Sequence, residues 1–226
     1  MNLKIIARIK TDFPEKFGIP RQSGLVPSLM GKIVFEPGFN TPDAIRGIEE
    51  FSHLWLLWGF SEVKKENWSA TVKPPRLGGR KKMGVFATRS PFRPNPIALS
   101  CVKLVRVDYD EKGAPVLIVS GIDMLDDSPI YDIKPYLPYS DCRVDATGGF
   151  ASKVKENNLT VIFPDNLASL VSPEDKDTLT EILSEDPRTA FINDENRIWG
   201  IYYKNLNVRF KVKDKTLTVL EIEILR

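Results

Sequence analysis

The residues of this chain best able to do chemistry gather in four segments where Pro and Gly alternate with polar side chains: 20–24 (Pro-Arg-Gln-Ser-Gly), 74–79 (Pro-Pro-Arg-Leu-Gly-Gly), 87–97 and 125–136. Proline fixes φ and glycine opens the left-handed region, so such loops hold backbone donors and acceptors in one arrangement. Rigid loops that present Arg, Asn and Asp meet the needs of a nucleotide-like ligand, although the same composition also makes ordinary turns in a β protein. Metal chemistry is a poor alternative. His53 is the only histidine and Cys101 and Cys142 the only cysteines, so a Cys/His zinc site is one ligand short. A nucleotide hydrolase would need a metal or an acid cluster, and neither can be assembled.

The charge distribution points to the class of partner. Net charge is only +2, yet no Asp or Glu occurs between Asn67 and Val107, while Lys73, Arg76, Arg80, Lys81, Lys82, Arg89, Arg93, Lys103 and Arg106 all do. A charge run is often just a solvated face. Here Pro, Gly and Phe86 interleave with the cations and no local acid offsets their repulsion, which favours a polyanion, nucleic acid first. Two cysteines argue against a disulfide framework and for a reducing cytoplasm. The amino-terminal segment has no uninterrupted apolar stretch of signal-peptide type, and no apolar run approaches the length of a membrane span.

The elements that must position these loops are mostly short strands. Leu3, Ile5, Ala7 and Ile9 alternate with Lys4, Arg8 and Lys10, apart from an extra Ile6, as in a half-buried strand. Further strands are expected at 32–35, 53–60, 84–87, 97–109 and 116–124. Segment 53–60 is apolar on both faces and should be central, with Trp55 and Trp58 buried. One short helix is expected after Thr41-Pro42. Many short strands with turn signals between them argue a sandwich or barrel. Composition shifts near residue 145, where Asp145-Ala146-Thr147-Gly148-Gly149 reads as a linker. Beyond it lie a strand at 159–163, a helix from an N-cap at Ser172 to about Ser184, and strands at 198–212 and 217–224 joined as a hairpin. The expected fold is mainly β: a barrel domain over 1–145 and a small α+β domain over 146–226.

Several segments carry a resemblance: Pro20-Arg21-Gln22, Phe51-Ser52-His53-Leu54-Trp55, Pro74-Pro75-Arg76-Leu77-Gly78-Gly79, Gly84-Val85-Phe86-Ala87-Thr88-Arg89-Ser90, Arg93-Pro94-Asn95-Pro96-Ile97 and Asp132-Ile133-Lys134-Pro135-Tyr136. In this order and spacing they resemble the TsaA-like family, the tRNA adenosine N6-methyltransferases called TrmO. The resemblance continues through Asp186-Pro187-Arg188 and Asn207-Val208-Arg209-Phe210, and so covers essentially the whole chain. It implies a β-barrel domain that binds S-adenosylmethionine, an appended small domain and a homodimer. It also implies N6-methylation of N6-threonylcarbamoyladenosine at position 37, in the tRNA anticodon loop. The cofactor contacts it implies fall on Pro20, Arg21, Gln22, His53, Leu54, Arg89 and Leu99, and on the loop Asp126, Asp127, Ser128 and Pro129. Family members often have Gly and Thr where this chain has Asp127 and Ser128.

The chemistry of such a reaction selects further residues. Methyl transfer to an exocyclic adenine nitrogen is an in-line displacement that needs no covalent protein intermediate, so orientation carries much of the acceleration. Asp132 or a backbone carbonyl suits the departing proton, and Asp132, Lys134 and Tyr136 are the catalytic candidates. The substrate brings a carboxylate and phosphates, which Arg binds bidentately. Arg76 and Arg93, with Lys81, Lys82 and Asn95, are the substrate-binding candidates. The competing reading is a non-catalytic RNA-binding barrel, which would share the basic loops but lack a cofactor pocket.

Overall fold

The computed structural model describes residues 2–61, 68–74, 81–154, 158–188 and 194–225. Its first part is built from β1 (Ala7–Thr11), β2 (Met30–Phe35), β3 (His53–Gly59), a two-residue ribbon of β4 (Thr71–Val72) and β5 (Met83–Gly84), β6 (Ile97–Tyr109), β7 (Pro115–Ser120) and β8 (Pro129–Pro135). Six of these strands close into a barrel in the order β1-β2-β7-β6-β3-β8. Closure follows from alternation. Ala7, Ile9, Ile33, Leu54, Leu56, Val102, Leu117, Val119 and Ile130 are buried inside, while their neighbours Arg8, Lys10, Lys32 and Lys103 face out. Interior space is tight: a Cβ on Gly31 would lie 3.0 Å from Ile9 Cδ1 and 3.2 Å from Ile122 Cγ2.

The structure departs from the sequence expectation in places, for physical reasons. Segment 129–135 reads as loop in the sequence because it starts and ends in proline, yet it forms β8 and closes the barrel against β1 and β3. Proline is harmless at a strand's ends, and here both prolines sit there. Segment 84–87 reads as strand, but only Met83–Gly84 pairs, and Val85–Ala87 turns as a 3-10 helix. The expected helix after Thr41 is likewise two 3-10 turns, Pro42–Ile45 and Ile48–Glu50, with no capping bond from the Thr41 side chain.

After a short helix α1 (Pro138–Asp141), the second part comprises β9 (Thr160–Ile162), α2 (Asp165–Ala168), α3 (Pro173–Ser184), β10 (Trp199–Tyr203), β11 (Leu206–Lys213) and β12 (Thr216–Ile224). The sheet order is β10-β11-β12-β9, with β9 parallel to β12. Ser172 caps α3 as expected, its hydroxyl accepting from the Asp175 N–H at 3.1 Å. The single strand expected over 198–212 is instead two, because the chain reverses at Lys204, which adopts φ 53° without a glycine to announce the turn.

Segment 12–29 joins the two parts. Phe13 packs edge-on to Tyr203 at 5.9 Å, Phe17 stacks on Trp199 at 6.0 Å, and the Lys204 N–H donates to the Asp12 carbonyl at 2.9 Å. Gly18, at φ +100°, lets the chain pass Ile201, whose Cγ2 would stand 3.1 Å from a Cβ there. Ser28 donates to Glu181 at 2.8 Å. The loop that carries Pro20-Arg21-Gln22 is thus braced from outside by the second part.

Candidate active site on the outer face of the barrel

Strand β3 is the axis of the site. Leu54, Leu56 and Trp58 point into the barrel, so His53, Trp55 and Leu57 must point out. In register, Leu57 lies between Leu99 on β6 and Asp132 on β8, and Trp55 lies between Cys101 and Lys134. Leu99 and Asp132 are therefore two strand spacings apart on one face, about 10 Å between backbones. Asp132 Oδ2 pairs with Lys134 Nζ at 2.8 Å, and its Oδ1 accepts from the Ile133 N–H at 3.0 Å. An open groove of about 440 Å³ runs over this face, lined by Trp55, Leu57, Leu99, Lys134, Ser140, Asp141 and Arg143. That volume is within the range of small-molecule sites. Trp58 is 5% exposed as expected. The same expectation for Trp55 is corrected: alternation in a closed barrel admits every second side chain, and Trp55 takes the outer position.

The lower end of the groove is shaped by the chain leaving β8. The Tyr136 N–H donates to the His53 carbonyl at 2.9 Å, and the Tyr136 ring meets His53 edge-on at 6.2 Å and Trp55 at 5.8 Å. Asp141 Oδ2 accepts from the Leu137 N–H at 2.9 Å and from Trp55 Nε1 at 2.8 Å, and these bonds hold its carboxyl below the usual range. His53 Nδ1 is 2.9 Å from Ser52 Oγ.

The upper shoulder carries the Pro20–Gly24 loop. Arg89 donates to the Gln22 side-chain oxygen, which places two of the expected cofactor residues side by side. Ser23 Oγ accepts from the Cys101 N–H at 3.1 Å, and the Gly24 N–H donates to Gly121 at 2.8 Å. The loop therefore lies along β6, beside Leu99, which is 50% exposed. Arg21 turns the other way and donates to the carbonyls of Asp186 and Arg188 at 3.1 and 3.0 Å. Beneath the loop sits Asp123, which sequence reasoning did not single out. Its Oδ1 accepts from Ser100 Oγ at 2.6 Å, and Ser100 Oγ accepts from Trp58 Nε1 at 2.9 Å. Burial pushes the Asp123 carboxyl up to about 6, against the opposing pull of the Ser100 hydroxyl, the Ser23 N–H and the Arg89 charge. The available signal was one carboxylate inside the apolar run 116–125.

The remaining candidates lie further off. Leu54 is fully buried in the barrel, so only its backbone is offered to a ligand. Loop 126–129 occupies the shoulder between β8 and β1. Asp126 Oδ1 accepts from the Thr11 N–H at 2.9 Å, Ser128 donates to the Leu125 carbonyl at 2.8 Å, and Pro129 is buried. Asp127 adopts φ 62° and pairs with Lys10 at 2.8 Å and Arg8 at 3.2 Å, bonds that depress its carboxyl. Lys81, Lys82 and Asn95 are exposed, and Arg93 donates to the carbonyls of Thr88 and Ser90 at 3.2 and 3.4 Å. Arg76 lies outside the described residues. Among the described residues no cluster of His, Cys, Asp and Glu could hold a metal ion, and no helix is long and apolar enough to cross a membrane.

The face from Gln22 to Leu57 fits S-adenosylmethionine in its chemistry. Leu57 and Leu99 offer apolar surface for an adenine, and Gln22 and Arg89 offer polar contacts for hydroxyls and a carboxylate. Comparison with known proteins agrees along the whole chain. A model of the tRNA-methyltransferase O N-terminal domain matches residues 8–142, and one of the TrmO C-terminal domain matches residues 156–225. The tRNA (adenine(37)-N6)-methyltransferase of Escherichia coli (strain K12) is 38% identical over 226 residues, 96% of each chain. A putative S-adenosylmethionine-dependent methyltransferase of Pseudomonas aeruginosa, RcsF, is 36% identical over 213 residues, 91% of this chain and 90% of its own. The crystal structure of TrmO from the same species superposes with a TM-score of 0.77 at 32% identity, covering 99% of this chain and 97% of that one. With both of its parts matched in order, this chain belongs to the tRNA-methyltransferase O family.

Proposed function

We propose that this protein transfers a methyl group to N6 of N6-threonylcarbamoyladenosine at position 37 in the tRNA anticodon loop, acting as a cytoplasmic homodimer. Its membership of a family of S-adenosylmethionine-dependent tRNA adenosine N6-methyltransferases carries the coarser statement, N6-methylation of adenosine 37 in tRNA. The observation that supports the site most directly is the register at Leu57, which sets Leu99 and Asp132 on one face on either side of it. Leu99 belongs with Gln22 and Arg89 on the cofactor side, and Asp132 belongs with Lys134 on the substrate side. We divide the chain near residue 145, with the barrel as the catalytic domain and the small α+β domain bracing its cofactor loop through Arg21 and Ser28.

S-adenosylmethionine supplies an activated methyl group on a sulfonium. The chain's own residues do the rest. The N6 lone pair is delocalised into the purine, so Trp55 and Leu57 must hold the base with N6 aimed along the groove; in favourable systems such positioning contributes roughly 7–11 kcal/mol. Asp132 Oδ2 receives the N6 proton, while Lys134 at 2.8 Å keeps that carboxylate in place. Tyr136 packs the lower wall, and Arg93, Asn95, Lys81 and Lys82, with Arg76, meet phosphates of the loop.

Mass spectrometry of tRNA nucleosides tests this. Purified protein incubated with S-adenosylmethionine should add one methyl group to the threonylcarbamoyl nucleoside and leave tRNA without that modification unchanged. Equal methylation of unmodified adenosine 37 would remove the substrate assignment. Binding of tRNA with neither cofactor binding nor methylation would favour the RNA-binding barrel.

A further inference from the structure

Asp123 has no part in the reaction derived above, yet it occupies a costly position. A carboxylate largely withdrawn from water is tolerated only where hydrogen bonds or charge compensate it. Here the compensating groups from elsewhere in the chain belong to the cofactor side of the site or support it. Ser100, on the inner face of β6, donates at 2.6 Å and is adjacent to Leu99 and Cys101 on the outer face. Trp58 of β3 fixes the Ser100 hydroxyl by donating to it at 2.9 Å, so that hydroxyl's own proton is directed to Asp123. The Pro20–Gly24 loop lies against the same turn, with the Gly24 N–H donating to the Gly121 carbonyl at 2.8 Å and Ser23 Oγ accepting from the Cys101 N–H at 3.1 Å, and the charged carboxylate is favoured by the Ser23 N–H and by Arg89, the residue that also holds Gln22.

We propose that Asp123 is the positioning residue of the cofactor loop: its negative charge anchors the Ser23 backbone from below and Arg89 from the side, and neutralising it weakens S-adenosylmethionine binding. This rests on the cofactor reading of the same face. The raised ionisation of this carboxyl, about 6, puts its loss of charge inside an accessible pH range. Cofactor affinity therefore falls as acid protonates Asp123, with no change in any residue that touches the ligand.

Calorimetric titration of purified protein with S-adenosylhomocysteine from pH 5 to 8 tests the proposal. Wild-type affinity should drop about fivefold from pH 8 to pH 5, the fall expected there from a tenfold difference in the carboxyl's acidity between free and bound protein. Asp123→Asn should bind weakly, near the wild-type acid level, with the Asp123-dependent part of the pH response gone. Every other ionisable group is present in both proteins, so their difference isolates Asp123. Ser100→Ala removes a bond that stabilises the charged form, so it should move the wild-type midpoint to higher pH; this variant decides the matter if Asp123→Asn does not fold. Identical pH profiles for wild type and Asp123→Asn, or an unmoved midpoint in Ser100→Ala, would overturn the positioning role. Absence of binding by wild type at pH 8 would instead overturn the cofactor reading, and the inference with it.

Discussion

Trp55 Nε1 donates to Asp141 Oδ2 at 2.8 Å, joining a barrel strand to the short helix 86 residues further along the chain. The bond sits in the wall of the groove, and the same carboxylate oxygen accepts from the Leu137 N–H. It fixes both the tryptophan plane and the turn that carries Ser140, Asp141 and Arg143.

If that plane orients the base, Trp55→Phe keeps an aromatic surface and removes only the tether. We expect KM for tRNA to rise by about two- to tenfold, the scale of one lost hydrogen bond, with cofactor affinity unchanged. Steady-state methylation with each substrate varied in turn measures this. An unchanged KM would show that the tether is structural only.

Arg89→Ala breaks the pair with Gln22. Wild-type protein should bind S-adenosylmethionine with at least micromolar affinity, about −8 kcal/mol, and the variant should lose about 1.5–3 kcal/mol of that. Calorimetry gives both values directly. Wild-type binding retained in full by the variant would remove Arg89 from the cofactor site.

Association with tRNA should depend on salt. If about five phosphates are neutralised, log affinity falls with log salt at a slope near −3.5 for a single-stranded loop. Lys81 and Lys82 are exposed, so replacing both with Ala should flatten the slope while sparing cofactor binding. A salt-independent association would make the acid-free stretch a plain solvated face.

Asp132→Asn retains the shape of the side chain and the acceptor for the Ile133 N–H but loses the charge paired with Lys134. That ion pair is solvent-exposed and contributes no more than about 1 kcal/mol, so the melting temperature should shift little. Single-turnover methylation should slow by about 10²–10⁴ if Asp132 takes the N6 proton. Methylation at the wild-type rate, or early melting, argues for a bracing role instead.

Burial raises Asp123 from an ordinary 3.8 to about 6 in the fold, so the folded state binds this proton more tightly than the unfolded chain does. The resulting stabilisation is complete below pH 3.8 and is lost as pH rises through 6; a difference of that size between the folded and unfolded carboxyl corresponds to about 3 kcal/mol. Urea denaturation at pH 7 and pH 4.5 should therefore show wild type gaining stability relative to Asp123→Asn on acidification. Parallel changes in the two proteins would mean that the carboxyl is not desolvated in solution.

Local features of this protein are legible from the amino-acid order. Alternation around Ala7 and Ile9, the strand at 32–35, the N-cap at Ser172 and the turn-rich spacing of a β-barrel are written in near neighbours, because side-chain period and capping depend on residues a few positions apart. The motif resemblance supplied the loops and the family. Three matters waited for the assembled barrel. It made a strand of Pro129–Pro135, since only the presence of β1 and β3 on either side gives that segment partners. It turned Trp55 outward and Trp58 inward, since a run apolar on both faces does not say which side the barrel will enclose. And it brought Asp123 under Ser23 and Arg89, through a Ser100–Trp58 pair contributed by two other strands. The withdrawal of that carboxylate from water is a property of the closed barrel, because no chain neighbour of Asp123 could exclude solvent from it alone.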